Sequence, residues 1–133
     1  MKKVSIKEKL KIKPIFALAL EKHEKNNFKI AQNLYQEILK INPNHSEAHY
    51  NLGLIFQRLG EFDKARNFYK KAIQIKPKYV DALNNLGLMF KELNDAKNAK
   101  RCYEKAIHID TKHVPAIFNL GILFRELGEF QKA

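Results

Sequence analysis

The sequence predicts an all-α fold, a solenoid of antiparallel helix pairs about three and a half units long. Three observations point there. The chain matches itself at a shift of 34 residues and again at twice that: Tyr50 to Ala65 reads YNLGLIFQRLGEFDKA and Phe118 to Ala133 reads FNLGILFRELGEFQKA, with ten of sixteen positions identical. Internal periods of about 20 to 50 residues are the mark of stacked repeats. Within a unit the apolar residues recur three and four apart, as Leu52, Ile55, Phe56 and Leu59, then Phe62, Ala65, Phe68, Tyr69 and Ala72, which is the spacing of a helix face. Between those two apolar stretches stand Asn26, Gly60, Asn94 and Gly128 at strict 34-residue spacing. Glycine and asparagine tolerate the left-handed conformation that ends a helix.

Residues 1–11 form a basic N-terminal arm or short helix. Lys2, Lys3, Lys7, Lys9 and Lys11 crowd it, Ser5 and Glu8 have capping-box spacing, and Pro14 is read as punctuation. The first unit, 12–45, is degenerate: Ile15, Leu18, Ala19, Ala31, Tyr35, Ile38 and Pro43 keep the pattern, but Lys22 takes the place of an aromatic. A degenerate terminal unit is normal for a cap. The second unit, 46–79, has His49, Leu52, Gly53, Phe56, Ala65, Tyr69, Ala72 and Pro77. The third, 80–113, has Leu83, Leu86, Gly87, Phe90, Ala99, Tyr103 and Ala106, with Thr111 instead of proline, which predicts a looser junction. The fourth, 114–133, is partial: Pro115 sits where a first turn tolerates proline, and the unit stops four residues into its second helix.

Ala19, Gly53, Gly87 and Gly121 lie inside the first helices, where glycine costs about 1 kcal/mol relative to alanine. Small residues also recur in the second helices, at Ala31, Ala65, Ala99 and Ala133. A close crossing of the two helices at this pair of positions is therefore expected.

Composition narrows the function. With 45% hydrophobic and 29% charged residues the balance is that of a soluble domain. The longest apolar run, Ile15 to Leu20, is six residues against the roughly 20 that span a bilayer, so no membrane span is expected. Cys102 is the sole cysteine; it is assigned to packing, and a reducing, cytoplasmic setting fits. The net charge of +11 is concentrated toward the N-terminus, and only Arg58, Arg66, Arg101 and Arg125 of the 25 basic residues are arginine. Arginine is the better fork for phosphate and base edges, so nucleic acid is disfavoured as a partner. No glycine belongs to a phosphate-binding loop. His45 and His49 are four apart but lack a third metal ligand, and His23, His108 and His113 join no nucleophile. Neither catalysis within this segment, nor a metal, nor a cofactor, nor a small-molecule substrate is expected.

The pattern of bulky residue, Leu-Gly and aromatic in the first helix, with Ala, aromatic, Ala and Pro through the second, resembles the tetratricopeptide repeat. That resemblance implies a right-handed superhelix whose inner wall, lined by the first helices, binds peptides. The groove-facing rows are then Phe16, Tyr50, Asn84 and Phe118; Ala17, Asn51, Asn85 and Asn119; and Leu20, Leu54, Leu88 and Ile122. His23, Gln57, Lys91 and Arg125 stand near the rim. The asparagine of each later unit offers a donor and an acceptor to a peptide backbone without reading side chains. Units stacked about 10 Å apart would meet every third residue of an extended chain rising roughly 3.3 Å per residue.

This ladder resembles that of the O-linked N-acetylglucosamine transferase repeat arm. The family's clamp for a terminal carboxylate needs cations where this chain has Phe16, Leu20, Asp81 and Asn85. The resemblance implies a protein-interaction scaffold that holds an extended segment in its groove. Alternatives are an N-terminal substrate-recruiting or regulatory arm of a larger, glycosyltransferase-like enzyme whose catalytic domain is encoded beyond Ala133, a basic-surface binder of nucleic acid or anionic surfaces, and self-association through the incomplete fourth unit.

Overall fold

The computed structural model describes residues 3–132 of the chain. Seven α-helices follow one another, α1 Ile6–Glu24, α2 Phe28–Ile41, α3 Ser46–Arg58, α4 Phe62–Ile75, α5 Val80–Glu92, α6 Ala96–Ile109 and α7 Val114–Lys132, with no strand among the described residues. Each odd-numbered helix packs on the even-numbered helix that follows it, and each even one packs on the start of the next unit. Contacts therefore run chiefly between sequence neighbours, with a smaller set between α5 and α7, as in a solenoid.

The helix ends are built as the sequence spacing predicts for three of the four turns. Asn26, Gly60 and Asn94 have φ of 62°, 75° and 64°, the left-handed region, and the chain reverses there from first to second helix. Gly128 does not follow. Helix α7 continues through it to Lys132. Ala133, the fourth member of the small-residue series, lies outside the described residues.

The basic segment 1–11 is not a separate arm from residue 6 onward. Ser5 caps α1, its hydroxyl accepting the Glu8 N–H at 3.1 Å, and the helix then runs straight through Pro14. Pro14 has no N–H to complete the ladder; the buried Ile12 and Ala19 on either side of it anchor the helix to the core. The turn at Thr111 carries the backbone bond of its counterparts, His113 N–H to the Asp110 carbonyl, as Tyr79 to Lys76 and His45 to Asn42. Asp110 bonds the Ala106 carbonyl through its N–H, as Asn42 and Lys76 bond Ile38 and Ala72, and its carboxylate accepts the Lys112 N–H at 3.1 Å. Asn42 does the same ahead of Pro43, accepting the Asn44 N–H at 3.1 Å.

The core is a ladder of small residues and tyrosines. Ala31, Ala65 and Ala99 are fully buried in the second helices, as are Tyr35, Tyr69 and Tyr103. The glycines of the first helices answer the tyrosines rather than the alanines. A methyl added at Gly53 would lie 2.5 Å from the Tyr69 ring, and one at Gly87 would lie 2.6 Å from the Tyr103 ring. The small pair expected at the helix crossing is thus a glycine and a ring face. In α7 no tyrosine of a second helix lies against Gly121 among the described residues, and a methyl added there meets nothing within 4 Å.

Candidate functional site

The first helices α1, α3, α5 and α7 share one side of the solenoid, where polar bonds link α3, α5 and α7 directly. Asn119 on α7 donates to the Asn84 carbonyl on α5 at 2.9 Å. Asn84 donates in turn to its neighbour Asn85 at 3.5 Å, and Asn85 donates to the Tyr50 hydroxyl on α3 at 3.2 Å. One run of hydrogen bonds, from amides on α7 and α5 to a hydroxyl on α3, thus crosses three helices. The three ladder asparagines are not equivalent: Asn51 is buried at 9% exposure and makes no side-chain bond among the described residues, whereas Asn85 and Asn119 are half-buried and donate to the neighbouring unit. Each of the latter two keeps one amide hydrogen beyond its bond to the neighbouring unit.

Rings extend the face. Tyr50 lies 5.8 Å from the Tyr69 ring and 4.9 Å from the Tyr79 ring, centroid to centroid. Phe16 packs 5.4 Å from His45 and 6.2 Å from Tyr35. The Lys76 ammonium stands 4.6 Å over the Tyr79 ring. Burial pushes the hydroxyls of Tyr50, Tyr69 and Tyr79 above the ordinary tyrosine value, so all three are neutral donors at physiological pH. Leu20, Leu54, Leu88 and Ile122 are half-buried, as a surface that is apolar but reachable requires. Phe118 is 66% exposed on α7.

The expected rim is tied down at two of its positions. Gln57 accepts the Tyr69 hydroxyl at 2.6 Å, and His23 meets Tyr35 at 3.2 Å in the unit before. Lys91, next in that series, turns away to pair with Glu126 of α7 at 3.1 Å, and the buried Tyr103 hydroxyl is left without a partner among the described residues. Arg125 is exposed.

Two features escaped the sequence reading. Tyr79 was not placed on this face, although it falls 34 residues after His45, the ring that covers Phe16. His113, a further 34 residues on, caps α7 by accepting the Ala116 N–H at 3.2 Å and donates its other ring N–H to Asp81 at 3.0 Å. His45 caps α3 in the same way, accepting the Ala48 N–H at 3.0 Å. Periodicity of the entry position was the signal for both. His49, four residues from His45, donates to the Pro43 carbonyl at 2.9 Å. The two histidines are used separately, and among the described residues no three histidine, cysteine or acidic side chains are grouped as a metal site would need. Among the described residues no helix is long and apolar enough to cross a membrane.

Comparison with known proteins agrees with this architecture. Two models of the tetratricopeptide repeat family match, one over residues 46–79 and one over residues 80–113, together just over half of the chain. No curated protein matches the sequence detectably. Among solved structures, the Sgt2 TPR domain from Aspergillus fumigatus is similar with a TM-score of 0.85 and 23% identity, over 92% of this chain and 83% of that one. The first TPR of Spaghetti (RPAP3), bound to the HSP90 peptide SRMEEVD, has a TM-score of 0.85 and 18% identity, over 90% of this chain and 94% of that one. MamA has a TM-score of 0.82 and 22% identity, over 88% of this chain and 68% of that one. With its helix pairs, its glycine and tyrosine ladder and two matching repeat models, the chain belongs to the tetratricopeptide repeat family.

Proposed function

We propose that the chain is a protein-interaction scaffold that holds an extended segment of a partner along its first helices. One observation carries the reading: a half-buried strip of rings and aliphatic side chains, Phe16, Tyr50, Leu54 and Leu88 among them, runs beside a chain of amides with hydrogen-bonding capacity to spare. The apolar strip supplies affinity and the amides fix a backbone without selecting its sequence. A similar fold, the first TPR of Spaghetti, is bound to a peptide. The cations of a terminal-carboxylate clamp are not the residues found here, where Phe16, Leu20, Asp81 and Asn85 stand, so an internal segment fits better than a chain end.

The test is a peptide-array scan at low and near-physiological salt, repeated with Asn51→Ala, Asn85→Ala and Asn119→Ala combined. Loss of a paired, buried asparagine costs about 1 to 3 kcal/mol, so binding should survive salt and fail in the triple variant while the helical circular dichroism is kept. Binding that vanishes with salt and ignores the substitutions would end this reading.

The recurrence of one asparagine per unit at 51, 85 and 119 favours a second reading, in which the scaffold recruits substrate for a glycosyltransferase-like domain. Sequencing the gene past Ala133 decides that. The exposed Val114, Ile117, Phe118 and Phe124 of α7 favour a third, self-association through α7, which sedimentation over a concentration series would detect.

A further inference from the structure

On the side of the second helices, away from the amide chain, an open cleft of about 390 Å3 lies between α4 and α6. Its floor is apolar, formed by Ile73, Leu83, Leu86 and Phe90. One residue difference between successive units accounts for it. In the second unit the Phe68 ring lies parallel to the Phe56 ring, with 5.4 Å between centroids and 3° between planes. In the third unit Phe90 stands in the place of Phe56 and Cys102 in the place of Phe68. A thiol fills far less space than a benzyl ring, so Phe90 lacks the stacking partner that its counterpart has. Protein interiors are otherwise close-packed, which makes this vacancy a feature of shape.

The rim changes along with the floor. Gln36 and Asn67 of the preceding units are answered here by Lys70 and Arg101, and Lys105 stands beside them, while no carboxylate lines the cleft among the described residues. Burial pushes the Cys102 thiol up to about 11, so it stays neutral and belongs to the apolar lining. The cleft is therefore an apolar recess with room for a ring, whose charged lining residues are all cations, with Asn98 beside them.

We propose that this cleft docks an acidic protein segment that inserts one aromatic side chain against Phe90, as Phe68 lies against Phe56. Carboxylates flanking that ring meet Lys70, Arg101 and Lys105. Parallel-displaced rings at this separation attract one another beyond simple burial, and arginine pairs with carboxylate through two parallel bonds. The site is independent of the amide-lined face, on which nothing in this proposal depends.

The experiment is fluorescence anisotropy of the whole chain with a labelled, short acidic peptide carrying one central phenylalanine. The phenylalanine peptide should bind, and its alanine counterpart should bind about tenfold or more weakly, as expected for a buried aromatic anchor. Cys102→Phe should abolish binding by filling the recess, and bound peptide should slow alkylation of Cys102 by a maleimide. Arg101→Glu with Lys105→Glu, both exposed positions, should weaken binding about tenfold without altering the circular dichroism. Equal affinity of the two peptides would reduce the contact to charge alone and overturn the proposal. So would unchanged binding by a folded Cys102→Phe variant, or by the double charge reversal, or unchanged alkylation in the presence of peptide.

Discussion

Glycine to alanine at equivalent positions of three units should give opposite results. In a helix interior the change gains about 1 kcal/mol of propensity, and at Gly121 nothing within 4 Å opposes that gain. Gly121→Ala should therefore stabilise α7 by about 1 kcal/mol. At Gly53 the new methyl meets Tyr69 carbons at 2.5 and 2.7 Å. That ring cannot swing aside: it is fully buried, packed 5.8 Å from Tyr50 and bonded to Gln57. Overpacking of this kind costs about 1 to 3 kcal/mol. Set against the propensity gain, Gly53→Ala should be neutral at best and destabilising by about 2 kcal/mol at worst. Gly87→Ala, with Tyr103 at 2.6 Å, should behave likewise. Urea unfolding followed by circular dichroism gives all three values, and Gly53→Ala/Tyr69→Leu should recover part of the loss by removing the ring. Equal effects at all three glycines would refute the idea that the tyrosine ring is what selects glycine.

Two tyrosines that look interchangeable in the repeat should also respond differently. Tyr69→Phe removes a 2.6 Å bond to Gln57 and should cost about 1 kcal/mol, whereas Tyr103→Phe removes a buried hydroxyl with no partner among the described residues and should leave stability unchanged or raise it. Equal costs in urea titrations would count against the assignment. Stability should fall as pH drops below about 6.5. Burial holds His23, His45 and His49 below the ordinary histidine value, so the unfolded chain takes up protons that the folded chain refuses. The stability is fully present above the unfolded value and is lost as pH falls through the folded values; a urea midpoint that rose between about pH 7.5 and about pH 5.5 would contradict this.

The sequence carried most of the architecture because each unit repeats the same local instructions. Leu52, Ile55 and Phe56 mark a helix face, and Asn26, Gly60 and Asn94 mark turns whose φ values confirm the backbone they require. The exceptions arose where a residue's meaning depends on what packs against it. Gly128 has the right spacing for a turn, yet α7 runs through it, since spacing alone does not hold a left-handed backbone that packing must support. Pro14 breaks a helix in isolation, yet the buried flanks of α1 carry the helix past it. The close contact of Gly53 was legible as a close contact, but its partner was not, since Ala65 and Tyr69 share one helix and only the three-dimensional crossing chooses between them. On the amide face, the sequence put Asn51, Asn85 and Asn119 in one row. Their separate environments were hidden because they depend on the neighbouring unit, through Tyr50 and Asn84.

That the described helices pack chiefly on their neighbours in sequence also bears on how the chain assembles as it is made. A helix that has just left the ribosome finds most of the surface it needs on the helix made immediately before it. No segment waits for a distant strand, and loop closure, which slows folds rich in long-range pairing, is confined to the short turns. Apolar faces are covered in order from the N-terminus, so the interval during which any one of them is exposed to aggregation is set by the synthesis of a single further helix.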